Sequence, residues 1–196
     1  MNVIIDSKEY YTDGNAFFRI IGRTLYECNP LPGVEEVVIP DRVYEISRNV
    51  LGENKKGVKR IIFPRALERI ESGAFMMCNS LTEIDIPWRV KYVEEYAFSS
   101  CKDLERVTIS EGVKTIDNSA FSNCEALSYV SIPKSVTCIE PNAFAYCKRI
   151  EHFEIDINPS LKVSDTAFSG TAISSEVRES LMEHFCYMKD NPLFPF

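Results

Sequence analysis

A period of twenty-three residues, running from Val58 to Cys147, limits the fold more than any other feature of the chain. Written in that step, the segment aligns with itself: VKRIIFPRALERIESGAFMMCNS, LTEIDIPWRVKYVEEYAFSSCKD, LERVTISEGVKTIDNSAFSNCEA, LSYVSIPKSVTCIEPNAFAYCKR. Four consecutive units share the period without a gap. Self-similarity at roughly 20 to 50 residues is the signature of a solenoid, in which each unit buries its apolar face only against its neighbours.

The unit reads physically. In LTEIDIP, Leu81, Ile84 and Ile86 point inward while Glu83 and Asp85 alternate outward, the pattern of a short strand. Pro87 ends it, because proline has no N–H for a ladder. Pro40, Pro64 and Pro133 stand at equivalent places, and Ser110 takes that place in one unit. The next inward pair, Val90 and Val93, is three apart, which predicts a bend or an extended return rather than more sheet. Ala97-Phe98 then predicts one helical turn, with Phe98 in the core and the small Ala97 allowing close backbone approach. Stacked strands of successive units must run parallel around a shared interior.

Flanking segments depart from the period. Residues 1–33 lie outside it, and FFRIIGRTLYEC alternates apolar and polar residues around a glycine, the pattern of a hairpin. This segment is read as an N-terminal cap over the open edge of the array. The repeats span 34–173: a divergent first unit from Val34, the four regular ones, and a sixth, IEHFEIDINPSLKVSDTAFSGTA, that has lost its cysteine. Residues 174–196 form the other end-piece. SSEVRESLMEHFCYMKD reads as a capping helix, with a serine N-cap, early acidic residues, late Lys189, and Val177, Leu181, Met182, Phe185 and Met188 at helical spacing. A partner-binding amphipathic helix is the alternative. The apolar, proline-broken NPLFPF either folds back or serves as a docking peptide.

Cysteine spacing argues for packing rather than bonding. Cys78, Cys101, Cys124 and Cys147 occupy one phase of successive repeats and predict a buried column of small side chains. Neither a CxxC pair nor a Cys/His spacing supports a metal. Cys28, Cys138 and Cys186 are off-phase.

The pattern LxxIxIPxxVxxIxxxAFxxCxx resembles the 23-residue leucine-rich repeat of the BspA type, found largely in surface and secreted proteins of bacteria and some protists. FRIIGRTLYEC resembles the lead-in often seen before such arrays. The resemblance covers residues 34 to about 173, roughly 70% of the chain. It implies adhesion or protein binding through the repeat surface, with no catalytic residues to carry over. The resulting expectation is an α/β fold: a right-handed leucine-rich-repeat solenoid with a parallel sheet on its concave side, short helical turns on its convex side and a C-terminal capping helix.

Candidate binding residues follow from the outward strand positions. The position two residues after the leading apolar residue of each unit, before its next inward residue, reads Glu36, Arg60, Glu83, Arg106, Tyr129 and His152. In register these form a ladder of cross-strand pairs whose alternating signs avoid like-charge stacking. The second column reads Val38, Ile62, Asp85, Thr108, Ser131 and Glu154. Val38 and Ile62 are expected to be exposed beside each other, with Trp88 just past a strand end; grouped apolar and aromatic residues mark contact sites. Val38, Arg60, Ile62, Glu83, Asp85, Trp88, Arg106, Tyr129 and His152 are the candidate partner-binding residues.

Other classes of function fit poorly. A net charge of −7, with no Lys/Arg run longer than Lys55-Lys56, opposes nucleic-acid binding. No apolar stretch approaches the length of a membrane span, so no membrane insertion is expected. The two histidines, His152 and His184, lie in different elements, and HExxH, GxSxG, P-loop and GxGxxG motifs are missing. A Cys138–His152 dyad has no supporting pattern. No cofactor or metal is implied. The N-terminus does not read as a signal peptide, so a cytoplasmic location is expected as written, or a secreted or surface one if a leader was removed. The function expected is noncatalytic binding of an unknown protein ligand on the concave face. Its alternatives are adhesin-like surface binding, as the family implies, and self-association through caps and tail.

Overall fold

Each regular unit meets its neighbours along two strands, not one. The computed structural model describes residues 1–5, 8–53, 55–182 and 184. From Glu36 onward the chain alternates between two parallel ladders. The first is built from β5 (Glu36–Val38), β7 (Arg60–Ile62), β9 (Glu83–Ile86), β11 (Arg106–Ile109), β13 (Tyr129–Ile132) and β15 (His152–Ile155), stacked in that order. The second interleaves β6 (Glu45–Ile46), β8 (Arg69–Ile70), β10 (Tyr92–Val93), β12 (Thr115–Ile116), β14 (Cys138–Ile139) and β16 (Lys162–Val163). The result is a mostly-sheet parallel β-solenoid of about six turns.

The extended return expected at Val90 and Val93 is therefore sheet. A turn closed by Val90 N–H donating to the Pro87 carbonyl (3.1 Å) bends the chain. Two residues then run extended, and the Asp117 N–H donates to the Val93 carbonyl of the neighbouring turn (2.9 Å). A two-residue strand buries one side chain, so it shows no alternation in the sequence.

The expected helical turns are also different. Around Phe98, the N–H groups of Tyr96, Phe98 and Ser100 donate to the carbonyls of Asn118, Ala120 and Ser122 in the next repeat, at 3.2, 2.8 and 2.8 Å. The N–H groups between them, of Ala97, Ser99 and Cys101, donate three residues back. Tyr96 and Ser100 sit at φ of +55° and +59°. A helix would spend all these donors within one turn; here alternate donors link the turns, so the α/β expectation gives way to a mostly-sheet fold.

Apolar residues at one phase make columns through the interior. Phe75, Phe98, Phe121, Phe144 and Phe168 stack with centroids 5.3–5.4 Å apart and ring planes within 12°. Cys78, Cys101, Cys124 and Cys147 are buried free thiols alongside. Apart from Tyr10 and Ala145, the buried apolar residues described form one cluster from Ala16 to Leu181.

Both ends join the second ladder. β1 (Asn2–Ile5), β2 (Lys8–Thr12), β3 (Ala16–Ile21) and β4 (Thr24–Pro30) form an antiparallel meander. The β3–β4 hairpin turns through Gly22 at φ +61°, where a side chain would be strained. β4 pairs parallel with β6 through Thr24–Glu45 and Leu25–Ile46, continuing the ladder into the array. At the other end, α1 (Ser175–Met182) starts at Ser174, whose Oγ accepts the Val177 N–H (3.3 Å) as an N-cap. Val177 is half-buried and Leu181 fully buried. The Val163 N–H donates to the His184 carbonyl (2.8 Å), so His184 bonds to the last strand. Phe185, Cys186, Met188, Lys189 and the NPLFPF segment lie outside the described residues.

Candidate functional site

Alternation along the first ladder turns one set of side chains into the core and the other outward. Parallel in-register stacking then converts each outward position into a column. Glu36 pairs with Arg60, Arg60 with Glu83, Glu83 with Arg106, Arg106 with Tyr129 and Tyr129 with His152. Val38 stands opposite Ile62, Asp85 opposite Thr108, Thr108 opposite Ser131 and Ser131 opposite Glu154. Eight of the nine candidate residues thus lie on one face, in two adjoining columns.

The contacts along the first column are directional. Arg60 reaches Glu83 through Nε at 2.9 Å and Glu36 through Nη1 at 3.8 Å. All three are well exposed, so each pair contributes under about 1 kcal/mol. The Arg106 guanidinium lies 3.8 Å from the Tyr129 ring centroid, and the Tyr129 hydroxyl donates to Glu154 Oε2 at 2.8 Å. Arg106, Tyr129 and Glu154 therefore hold one another across three turns and two columns. Val38 is 50% exposed, but Ile62 is half-buried. β5 is the end strand of its ladder, so Val38 has a neighbouring strand on one side only, whereas β7, which carries Ile62, lies between β5 and β9.

Trp88 belongs elsewhere. It sits at the corner between the ladders, 52% exposed, and lines an open groove of about 850 Å³ on the outward face of the second ladder. Tyr92, 57% exposed, and half-buried Tyr44 share that groove. Two cation–π contacts bound it: Arg89 4.9 Å from the Trp88 ring and Arg23 4.4 Å from Tyr44. Between them Arg69 bridges Glu94 (Nε, 2.7 Å) and Glu45 (Nη1, 3.0 Å), and Glu94 also accepts from the Ser72 N–H (3.0 Å) and hydroxyl (3.2 Å). Sequence reasoning found Trp88 and missed the rest. The signal was present: the position before the second residue of the inward pair (Val93 in its unit) reads Glu45, Arg69, Tyr92, Thr115, Cys138 and Lys162, but it becomes a column only once the return is known to be sheet.

The next phase of that ladder carries Glu71, Glu94, Asp117 and Glu140 in successive turns. Burial, followed by the charges of Glu140, Glu94 and Glu95, pushes the Asp117 carboxyl above its ordinary value. Among the described residues, no cluster of His, Cys, Asp and Glu is arranged to hold a metal ion. Cys138 and His152 lie on different ladders, and the Cys138 thiol donates to Glu140 Oε1 at 3.1 Å. No described helix is long and apolar enough to cross a membrane.

Comparisons with known proteins agree with this geometry. The family model described as a BspA type leucine rich repeat region matches in six copies over residues 19–151. Among solved structures, a leucine-rich repeat protein from Eubacterium ventriosum superposes with a TM-score of 0.67 at 20% identity, covering 86% of this chain and 51% of that one. A leucine rich cell surface protein from Faecalibacterium prausnitzii gives 0.65 at 28% identity, covering 86% and 48%. A leucine-rich repeat protein from Bacteroides ovatus gives 0.58 at 23% identity, covering 88% and 57%. The chain thus spans about half the length of the structures it resembles. No curated protein sequence matches it significantly.

Proposed function

The chain belongs to the BspA-type leucine-rich repeat family, and from that premise we propose that it is a noncatalytic module that binds a protein partner on the outward face of the first ladder. One observation carries the proposal: Arg106, Tyr129 and Glu154 are already locked together at one end of a face whose other end presents Val38 and Ile62. Arg and Tyr are enriched among the residues that dominate binding energy, and side chains fixed in advance lose little freedom when a partner arrives. The charged column from Glu36 to Arg106 supplies register and discrimination more than affinity. A surface-exposed setting is the second reading, favoured by the Faecalibacterium prausnitzii structure, which is described as a cell surface protein.

The test is capture from lysate and from extracellular-matrix preparations, with wild type beside an Ile62→Glu/Tyr129→Ala double variant of matched thermal stability. A partner retained by wild type and lost by the double variant supports the reading. A partner retained equally by both moves the binding surface off this face.

A further inference from the structure

The groove on the second ladder is a different kind of site from the first face. Much of the backbone beneath it is committed to the solenoid. The Tyr44 and Glu45 N–H groups donate to the Arg23 carbonyl at 2.9 and 3.3 Å. Those of Glu68 and Arg69 donate to the Tyr44 carbonyl at 2.8 and 3.2 Å, and those of Lys114 and Thr115 to the Lys91 carbonyl at 2.8 and 3.3 Å. An extended peptide binding by strand addition needs free main-chain donors and acceptors, and on these rungs they are already engaged. Recognition here has to come from rings and from the planar charged groups between them.

The charge is unevenly satisfied. Arg69 is paired with Glu45 and Glu94, and Arg89 with Glu68 at 3.0 Å. Arg23 and Lys91, near opposite ends of the groove, have no carboxylate partner among the described residues; Arg23 lies over Tyr44, and Lys91 Nζ donates to the Gly112 carbonyl at 3.5 Å. The lining carries four cations, Arg23, Arg69, Arg89 and Lys91, against three carboxylates, Glu45, Glu68 and Glu94, so in a chain of net charge −7 the groove holds an excess of one positive charge beside exposed aromatic rings, with Arg23 and Lys91 the two cations no described carboxylate engages. A local excess of one sign selects ligands of the other.

We propose that the groove binds an acidic polysaccharide, with sugar rings against Trp88 and Tyr92 and sugar carboxylates on Arg23 and Lys91. A pyranose ring offers a flat patch of C–H bonds that packs on the electron-rich face of an aromatic ring. Its hydroxyls both donate and accept, matching the Arg69 guanidinium and the Glu45 and Glu94 carboxylates held beside it. A volume of about 850 Å³ is near the upper end of ligand pockets, which run to roughly 1,000 Å³, and leaves room for more than one sugar.

Trp88 is the chain's sole tryptophan, so its emission reports this groove directly. The protein is titrated with oligogalacturonate, a hyaluronan oligosaccharide, neutral xylo-oligosaccharide and poly-L-glutamate at low and moderate salt. The proposal predicts a saturable change in Trp88 emission with at least one uronate-bearing probe, and none with the neutral sugar or the polypeptide. Tyr92→Ala should weaken that binding by about tenfold, the scale of one lost ring contact. Arg23→Ala/Lys91→Ala should weaken it and flatten its salt dependence. Both variants change exposed side chains, and unchanged thermal melting verifies their fold. Silence with both acidic sugars overturns the proposal. An equal response to poly-L-glutamate replaces it with an acidic peptide ligand, and an equal response to the neutral sugar removes the role given to Arg23 and Lys91.

Discussion

The Cys124 thiol donates to the carbonyl oxygen of Phe98, 3.3 Å away and 26 residues earlier, tying the turn of one repeat to the aromatic position of the repeat before it. Cys101 makes the same bond to Phe75 (3.2 Å) and Cys147 to Phe121 (3.1 Å). Cysteine suits this position because it packs as a small apolar group and still offers a weak donor to a buried carbonyl.

These thiols should therefore be inert. A hydrogen bond with Cys78, and then burial, pushes the Cys101 thiol well above its ordinary value. Burial, and then Cys147, does the same to Cys124, and burial pushes Cys28 up to about 12. The thiolate is the reactive form, and burial keeps the reagent from Cys78 and Cys147 as well, so a thiol reagent applied to native protein should modify half-buried Cys138 well before Cys28, Cys78, Cys101, Cys124 or Cys147. Mass-mapped labelling checks this. Equal rates at Cys124 and Cys138 would contradict the column.

Phe98 stacks between Phe75 and Phe121 at 5.3 and 5.4 Å and is fully buried. Phe98→Ala should destabilise the fold by about 3–5 kcal/mol, the usual cost of emptying an aromatic core position. Chemical denaturation measures it, and a loss below about 1 kcal/mol would remove Phe98 from the core.

Much of this fold was legible because a solenoid writes its core at one period. The inward Leu104, Val107 and Ile109, the stacked Phe98 and Phe121, and the buried Cys101 and Cys124 all recur at fixed phase. Three things did not transmit. Tyr92–Val93 is too short to alternate, so the second ladder was invisible. Ala97-Phe98 has the local look of a helical turn, while its geometry rests on left-handed Tyr96 and Ser100, residues whose side chains give no warning of positive φ. The groove sets Arg23 from the N-terminal meander and Tyr44 from the first repeat beside Trp88 and Tyr92, which share one unit, and only the stacking brings those segments together.

Gly112 shows how that stacking supports the groove. It stands at φ +112°, and a Cβ there would lie 2.3 Å from the Trp88 carbonyl oxygen. Gly112→Ala should cost about 1–3 kcal/mol through backbone strain and displace the Trp88 backbone. Thermal melting and the Trp88 emission maximum should change together. A variant with both unchanged would show that the close approach is not required.

Asp117 should limit stability at neutral pH. Its carboxyl value is raised in the folded state, so the folded state holds the proton more tightly than the unfolded chain does. Stability then falls as pH rises from below the ordinary carboxylate value through the raised one, and is level above it. Asp117→Asn should accordingly raise the melting temperature at pH 7, with the gain shrinking toward zero below about pH 4. A gain that grows on acidification would contradict the assignment.

Thr108 and Thr115 distinguish a partner bound on the first ladder from one bound on the second. Both are half-buried threonines of one repeat, facing outward from β11 and β12 on the first and second ladders. A photo-reactive benzoylphenylalanine is placed at each position in turn and irradiated with the captured partner. Binding on the first ladder predicts a covalent adduct from position 108 and little or none from 115. An adduct from 115 and none from 108 would contradict it.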